Sequence, residues 1–358
     1  MAIDDARRVL ASAIDDRVFP AATVEVGAGG GPLWTDALGT LTFDGGRPAA
    51  LDTPFDLASL AKPLATATLT MRLVEATRLS LDDRVADRFP EWRGADREPV
   101  TIRDLLEHAS GLAARLLDAP PSGRREFEHD ICTMPLEYRP RSRSVYSDLG
   151  FILLGFLIAD RGGAPLAQQF DRVIVRLKPD TTNPADEALL TYELPPEARV
   201  RAAPTRPMDD DPRRGRLLAG EVHDNYAAAL GGAAGHAGLF GTSSGVGAFA
   251  RIVLRAARGD TRTPSPFTPE RMKLFTTRSA VPGSSRALGW DTMLPTSSCG
   301  TRMSASAFGH VGFTGTSLWI DPARDRYFVL LTNRACGGGT LDAMRDVRRA
   351  FHDALANF

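Results

Sequence analysis

Residues 55–71 read FDLASLAKPLATATLTM, and both the fold and the chemistry of the chain turn on this stretch. Ser59 and Lys62 stand three positions apart, ahead of a run of helix formers and apolar residues. On a helix, positions i and i+3 share a face, so the hydroxyl and the amine can meet. A serine hydroxyl is a weak nucleophile until a base takes its proton, and a desolvated, neutral lysine is such a base. The chain uses lysine sparingly: of 43 basic residues, only Lys62, Lys178 and Lys273 are lysines. Arginine keeps its proton inside a protein, whereas a buried lysine can lose it. A lysine among Leu57, Leu60, Leu64 and Leu69 is therefore a candidate base. The plain alternative is a helix whose lysine stretches its amine out to water, so the pair needs partners.

Length and composition set the outer bounds. The chain has 358 residues, 43% of them hydrophobic and 24% charged, with a net charge of −1. That suits one large or two interleaved globular domains. No basic excess points to nucleic acid or an anionic membrane, and no run of about twenty apolar residues is present to span one. The first twenty residues, MAIDDARRVLASAIDDRVFP, read as an acidic amphipathic helix, not a basic leader with an apolar centre, so a cytoplasmic location is expected. Cys132, Cys299 and Cys336 are an odd set without metal-like spacing and read as buried thiols.

Outward from Ser59, the N-terminal side carries a helix over 3–17 and then two alternating segments, Ala21–Val26 and Pro32–Phe43. The glycine-rich 27–31 separates them, which predicts a hairpin. Thr53-Pro54 ends it, and the Ser59 helix runs to about Ala76. From Leu79 to about Leu218 short helices are predicted, including 83–89, 101–108 with Thr101 as N-cap and Asp104 at N3, and an apolar 149–161. Lys178–Pro184 and Pro195–Arg216 read as surface excursions. A helix near 244–257, strands at 317–320 and 327–332, and a helix over 341–355 close the chain. The expected architecture is α/β (α+β): an antiparallel sheet flanked by helices and built from both termini, 1–78 and 230–358, with a helical insertion over 79–229.

Two stretches supply partners for Ser59 and Lys62. Tyr146-Ser147-Asp148 lies directly before an apolar helix, and a cleft tyrosine can relay a proton when cations lower its pKa. His310-Val311-Gly312 sits at a strand end, where glycine lets a substrate backbone approach. The next amide, on Phe313, can join that of Ser59 as an oxyanion hole. His236, in a glycine-rich turn, suits a loop that contacts substrate.

The ordered set of Ser59-x-x-Lys62, Tyr146-Ser-Asp148 before LGFILLG, and His310-x-Gly-Phe-Thr-Gly-Thr resembles the serine β-lactamase and penicillin-binding-protein superfamily. It is more narrowly similar to the class C-like branch that includes family VIII carboxylesterases. DLLEHASGL, PLEYRPRSRSVYSDLGFILLG, EVHDNYAAALGGAAGHAGLFGT and GHVGFTGTSLWIDPARDRYFVLLTNR extend the likeness over most of residues 20–355. The last two are similar to a subgroup with N-acetylmuramyl-L-alanine amidases. The resemblance implies a β-lactamase-like fold, a cofactor-independent hydrolase without metal, Ser59 as the acylated nucleophile, Lys62 as its base and Tyr146 as proton shuttle. Asp148 stands where lactamases usually carry asparagine and His310 where they usually carry lysine. An anionic Asp148 would repel a substrate carboxylate, so a small ester or amide without one is the expected substrate.

Two rival patterns are weaker. Gly241-Thr242-Ser243-Ser244-Gly245 matches the G-x-S-x-G nucleophile elbow, but the strand–helix alternation of a parallel sheet is missing upstream. Ser243 and Ser244 read more simply as N-caps of the following helix. His223, Asp224, His236 and His310 fit no zinc spacing. A non-hydrolytic penicillin-sensing protein is the rival from another class, and the intact Ser59, Lys62 and Tyr146 argue against it.

Overall fold

A computed structural model of the protein describes residues 2–116, 120–175, 188–260 and 267–358. Its main sheet has six antiparallel strands in the order β2-β1-β9-β8-β7-β6, where β1 is Ala21–Ala28, β2 Gly31–Gly39, β6 Asp291–Thr292, β7 Phe308–Val311, β8 Ser317–Asp321 and β9 Arg326–Thr332. The N-terminal hairpin joins the C-terminal meander through β1 and β9, with Val24 opposite Leu330 and Val26 opposite Phe328. Both ends of the chain therefore make one sheet, as the segment patterns predict. Strand β2 stops at Gly39, four residues short of the expected Phe43.

Alternation along the strands feeds two cores, because successive side chains point to opposite faces. Val24, Val26, Trp319, Phe328 and Leu330 pack with Leu10 of the Ala2–Asp15 helix and Phe351 of the Leu341–Ala354 helix. Leu318, Ile320, Val329 and Leu331 turn the other way, onto Val246 and Val253 of the Ser243–Ala257 helix. That helix starts one residue earlier than an N-cap at Ser243 would give and two earlier than one at Ser244. Thr242 is its cap, accepting from the Gly245 amide, and Ser243 is buried.

The larger core continues into the helices between the two sheet halves, chiefly Asp148–Gly162. All residues from Leu149 to Ile158 of that helix are buried, which explains its apolar sequence on every side. Ser147 caps its start, and Gly163 ends it in the left-handed conformation. Helices Arg124–Thr133 and Pro269–Thr276 carry no pattern clear enough to predict, and the expected 83–89 helix is a single 3₁₀ turn at Val85–Asp87. The expected excursion at Lys178–Pro184 lies outside the described residues. Among the described residues no single helix is long and apolar enough to cross a membrane.

A second, three-stranded sheet matters for the site. Its order is β3-β5-β4, with β3 at Phe55–Asp56, β4 at Leu190–Thr191 and β5 at Phe240–Gly241. It ties the entry of the Ser59 segment to the end of the glycine-rich turn, and the Leu57 amide prolongs it by donating to Leu239 O at 2.9 Å.

Candidate active site

The Ser59 segment is not the regular α-helix that its sequence predicts. Ala58–Leu60 is a 3₁₀ turn, Lys62–Ala67 is wound as a π-helix, and α-helical geometry begins at Thr68. Ala58 holds a left-handed φ of 47°, a conformation that costs a residue with a Cβ about 1 kcal/mol or more. Asp56 fixes it from below: its two carboxylate oxygens accept from the Ala58 amide at 2.8 Å and the His223 amide at 2.6 Å. The result presents Ser59 at the start of the turn, with Lys62 behind it.

Lys62 is wholly buried and its three donor positions are all used. Nζ lies 3.1 Å from Ser59 Oγ, 2.7 Å from Asp148 Oδ1 and 3.0 Å from the His236 carbonyl. Tyr146 donates its hydroxyl to Ser59 Oγ at 2.6 Å. Lys62 and Tyr146 thus meet at the Ser59 hydroxyl, and Asp148 and His236, from two distant stretches, meet at the Lys62 amine. The surroundings of Lys62 favour its charged form over the neutral lysine expected from the sequence. Burial, the largest single influence, pulls the Lys62 amine down, but the negative charge of Asp148 and the Tyr146 oxygen outweigh it and raise its pKa above the usual value. Burial also raises the Tyr146 phenol, with Lys62 working against it. Both directions favour the protonated forms, ammonium on Lys62 and phenol on Tyr146.

Asp148 is the first link of a charge chain. Its second oxygen accepts from Arg115 Nη1 at 3.2 Å, and the same nitrogen reaches Asp224 at 2.8 Å. Arg115 also donates to Asn225 and lies with its guanidinium carbon 3.9 Å from the Tyr226 ring centre. Asp224 caps the Asn225–Ala229 helix and pairs with His236 Nε2 at 2.8 Å. Burial pushes the Asp224 carboxyl up, yet His236 and Arg115 together hold it well below the usual range. The chain closes on itself, because the His236 carbonyl accepts from Lys62. With both Asp148 oxygens claimed by cations, the carboxylate repulsion expected from the sequence is largely neutralised. His236 faces this network through its ring and its carbonyl.

The other wall is built from β7 and the turn after it. His310 Nδ1 donates to the Val311 carbonyl at 2.8 Å, so Nε2 carries the lone pair, and this buried nitrogen has no protein partner among the described residues. His108 Nδ1 accepts from the Ser147 amide. Burial first, and Arg286 next, push both imidazoles well below their usual pKa, so they are neutral rings. Their centres lie 4.7 Å (His108) and 6.0 Å (His310) from that of Tyr146. The Arg286 guanidinium carbon is 5.2 Å from the Tyr146 ring centre.

Gly312 is needed for closeness. A Cβ there would lie 2.6 Å from Leu57 O and 2.2 Å from Thr316 Oγ1. Thr314 and Thr316 hydroxyls donate to Asp56 O at 2.7 Å and Leu57 O at 3.0 Å, stapling the turn to the Ser59 segment. The adjoining amides of Ser59 and Phe313 thereby come onto neighbouring strips of backbone. Phe313 leaves its ring 44% exposed, stacked on His223 at 5.3 Å. The four residues weighed as a metal set do not converge: His223 stacks on Phe313, His236 pairs with Asp224, and His310 flanks Tyr146.

Arg115, Asn225, Arg286 and His108 are site residues that spacing does not reveal. Forty arginines are spread through the sequence, and nothing local marks the few that turn inward.

The fold is shared with known proteins. The family model described as beta-lactamase matches residues 6–352, and the chain belongs to that family of serine hydrolases. The N-acetylmuramyl-L-alanine amidase of Bacillus subtilis is 30% identical over 311 residues, covering 80% of this chain and 70% of that protein. Among solved structures, EstCE1, a hydrolase with promiscuous acyltransferase activity, superposes with a TM-score of 0.74 at 20% identity, over 99% of this chain and 98% of that one. A penicillin-binding protein homologue from Caulobacter crescentus gives 0.71 at 23% identity, with the same coverage.

Proposed function

We propose that the protein hydrolyses carboxylic esters or amides through an acyl-enzyme on Ser59, in a cleft between the sheet domain (1–78 and 230–358) and the helical insertion (79–229). The observation that carries this reading is Ser59 Oγ held by Lys62 Nζ at 3.1 Å and Tyr146 Oη at 2.6 Å. Asp148 Oδ1 and the His236 carbonyl can only accept, so they fix two Lys62 hydrogens. The remaining position points at Ser59. Once the Lys62–Tyr146 pair has given up one proton, that position is a lone pair aimed at the serine hydroxyl.

Ser59 Oγ then attacks the carbonyl carbon while its proton moves to Lys62. The carbonyl electron pair goes to oxygen, where the Ser59 and Phe313 amides hold it. When the intermediate collapses, Tyr146 gives its proton to the departing alkoxide or amine and regains one from Lys62. Water attacks the acyl group with the same pair as base, and the proton returns to Ser59 as it leaves. No cofactor is needed for these steps.

Small and medium esters are the substrates on which turnover is expected in the test tube. A cell-wall amide is the second reading. It is supported by the 30% identity to an N-acetylmuramyl-L-alanine amidase and by the place of Asp224 and His236, both from the stretch 221–242, in the Lys62 network. Three buried, unpaired cysteines fit a reducing, cytoplasmic setting.

The test is intact-mass spectrometry during p-nitrophenyl ester turnover, with Ser59→Ala alongside. Steady nitrophenol release, abolished in a folded Ser59→Ala protein, is expected. Full activity in that variant would remove Ser59 as nucleophile. A single burst with a lasting adduct would turn the reading towards a penicillin-binding protein that acylates without turnover.

A further inference from the structure

Two arginines on the sheet side grip the 312–316 turn through its backbone carbonyls. Arg348, on the Leu341–Ala354 helix, is 4% exposed and donates from Nη2 to Gly312 O at 2.8 Å and Thr316 O at 2.9 Å. Arg334 donates to Phe313 O from Nε at 3.1 Å and Nη2 at 2.6 Å. Among the described residues neither guanidinium has a carboxylate partner. Arg213, by contrast, meets the Asp211 carboxylate at 2.6 Å. A buried cation without a counter-ion is costly. Burial, with the like charge of Arg334 adding to it, brings the Arg348 pKa down to about 9.

Holding the turn does not require Arg348. The Gly312 carbonyl also accepts from the Gly315 amide at 3.1 Å, and the Thr316 carbonyl from the Gly312 amide at 2.8 Å. What Arg348 does uniquely is place positive charge on one particular peptide group. The Gly312 carbonyl and the Phe313 N–H are the two ends of the same peptide. A cation on the oxygen draws electron density along it and strengthens the N–H as a donor, because hydrogen bonds in a chain polarise one another.

We propose that Arg348 is a positioning residue that electrifies the oxyanion site through the 312–313 peptide, the anion formed during reaction being the counter-ion that the resting protein lacks. Arg334 fixes the next carbonyl and holds the Phe313 ring, with its guanidinium carbon 4.7 Å from the ring centre. The proposal rests on the acyl-enzyme reading, with the Phe313 amide as oxyanion donor.

Arg348→Met and Arg348→Lys separate it from a bracing role. With a p-nitrophenyl ester, the Met variant is expected to fold, with a melting temperature equal to or above wild type, since it sheds an uncompensated buried charge. Its acylation rate should fall roughly ten- to a hundred-fold, below the loss of a whole oxyanion donor, with KM little changed. The carbonyl stretch of the ¹³C-labelled acyl-Ser59 should move to higher wavenumber by difference infrared spectroscopy. Arg348→Lys, keeping the charge and a donor, should recover most of the rate and the band position. A folded Met variant with wild-type acylation and an unmoved band overturns the proposal. So does an equal loss in Met and Lys that tracks a lowered melting temperature. If wild-type protein forms no adduct on Ser59, it is the underlying acyl-enzyme reading that fails.

Discussion

The two walls that meet at Ser59 handle charge in opposite ways. On the helical side, Lys62, Asp148, Arg115 and Asp224 alternate in sign, and every carboxylate oxygen among Asp148 and Asp224 has a donor. On the sheet side, Arg334 and Arg348 sit on backbone carbonyls, without a carboxylate partner among the described residues. The physical demands differ. A group that gives and takes a proton needs neighbours that hold it in place without fixing its charge at either extreme. A site that stabilises a forming anion works best when its field is already present and unspent. Balance belongs to proton transfer, and imbalance to charge stabilisation.

Substitutions on either wall test that contrast. The largest loss is expected for Tyr146→Phe, which removes the hydroxyl on Ser59 Oγ; kcat should drop about 10³-fold with the fold intact, as for loss of a general acid–base group. A variant within a few-fold of wild type would leave the helical wall without its relay. Gly312→Ala comes next. Its Cβ would meet Leu57 O at 2.6 Å, a backbone atom that cannot swing away. The turn must retreat from the nucleophile, at a loss of about 10²-fold in kcat/KM and 1–3 kcal/mol in stability, measurable by kinetics and denaturant titration.

Asp148→Asn should have a smaller effect on the maximal rate and a clearer one on its pH dependence. Asp148 is the chief group raising Lys62, so its removal should move the rising, alkaline limb of kcat/KM to lower pH. A limb that stays in place would separate it from the Lys62–Tyr146 pair.

The mildest test concerns Asp56, whose carboxyl burial pushes from its ordinary 3.8 up to about 6. A raised acid favours folding fully below pH 3.8, and that contribution is lost as pH rises through about 6. The swing is on the order of 3 kcal/mol. Asp56→Asn should flatten the stability profile between pH 4 and 7 by urea denaturation, whatever its baseline. It lowers that baseline too, because one of the two amides on the carboxylate loses its acceptor. An unchanged slope would assign the titration elsewhere.

How much was legible follows the range of the interactions involved. Period-two patterns over 21–26, 317–320 and 327–332 specify strands because burial on one face is a local constraint, and the apolar 149–161 reads as a buried helix for the same reason. The two-residue strands β3, β4 and β5 leave no periodicity to detect. Thr242 rather than Ser243 or Ser244 takes the cap because a shift of one residue is invisible to composition. The π-winding at Lys62–Ala67 and the left-handed Ala58 have no sequence signature either; Asp56 holds the Ala58 amide from within the segment, and Thr314 and Thr316 hold its backbone from far along the chain.

The sequence by itself determined which groups can do chemistry: one serine, one rare lysine and one tyrosine at positions that folding brings together, with Gly312 where backbone must approach backbone. Tertiary structure decided their states. Asp148 reaches Lys62 across 86 residues and His236 across 174, and the protonation of Lys62 depends on that company, not on its neighbours in the chain. Likewise nothing local distinguishes Arg115 or Arg348 from the protein's other arginines. A charge acquires its energy from what surrounds it in space, and for these residues the surroundings come from distant parts of the chain.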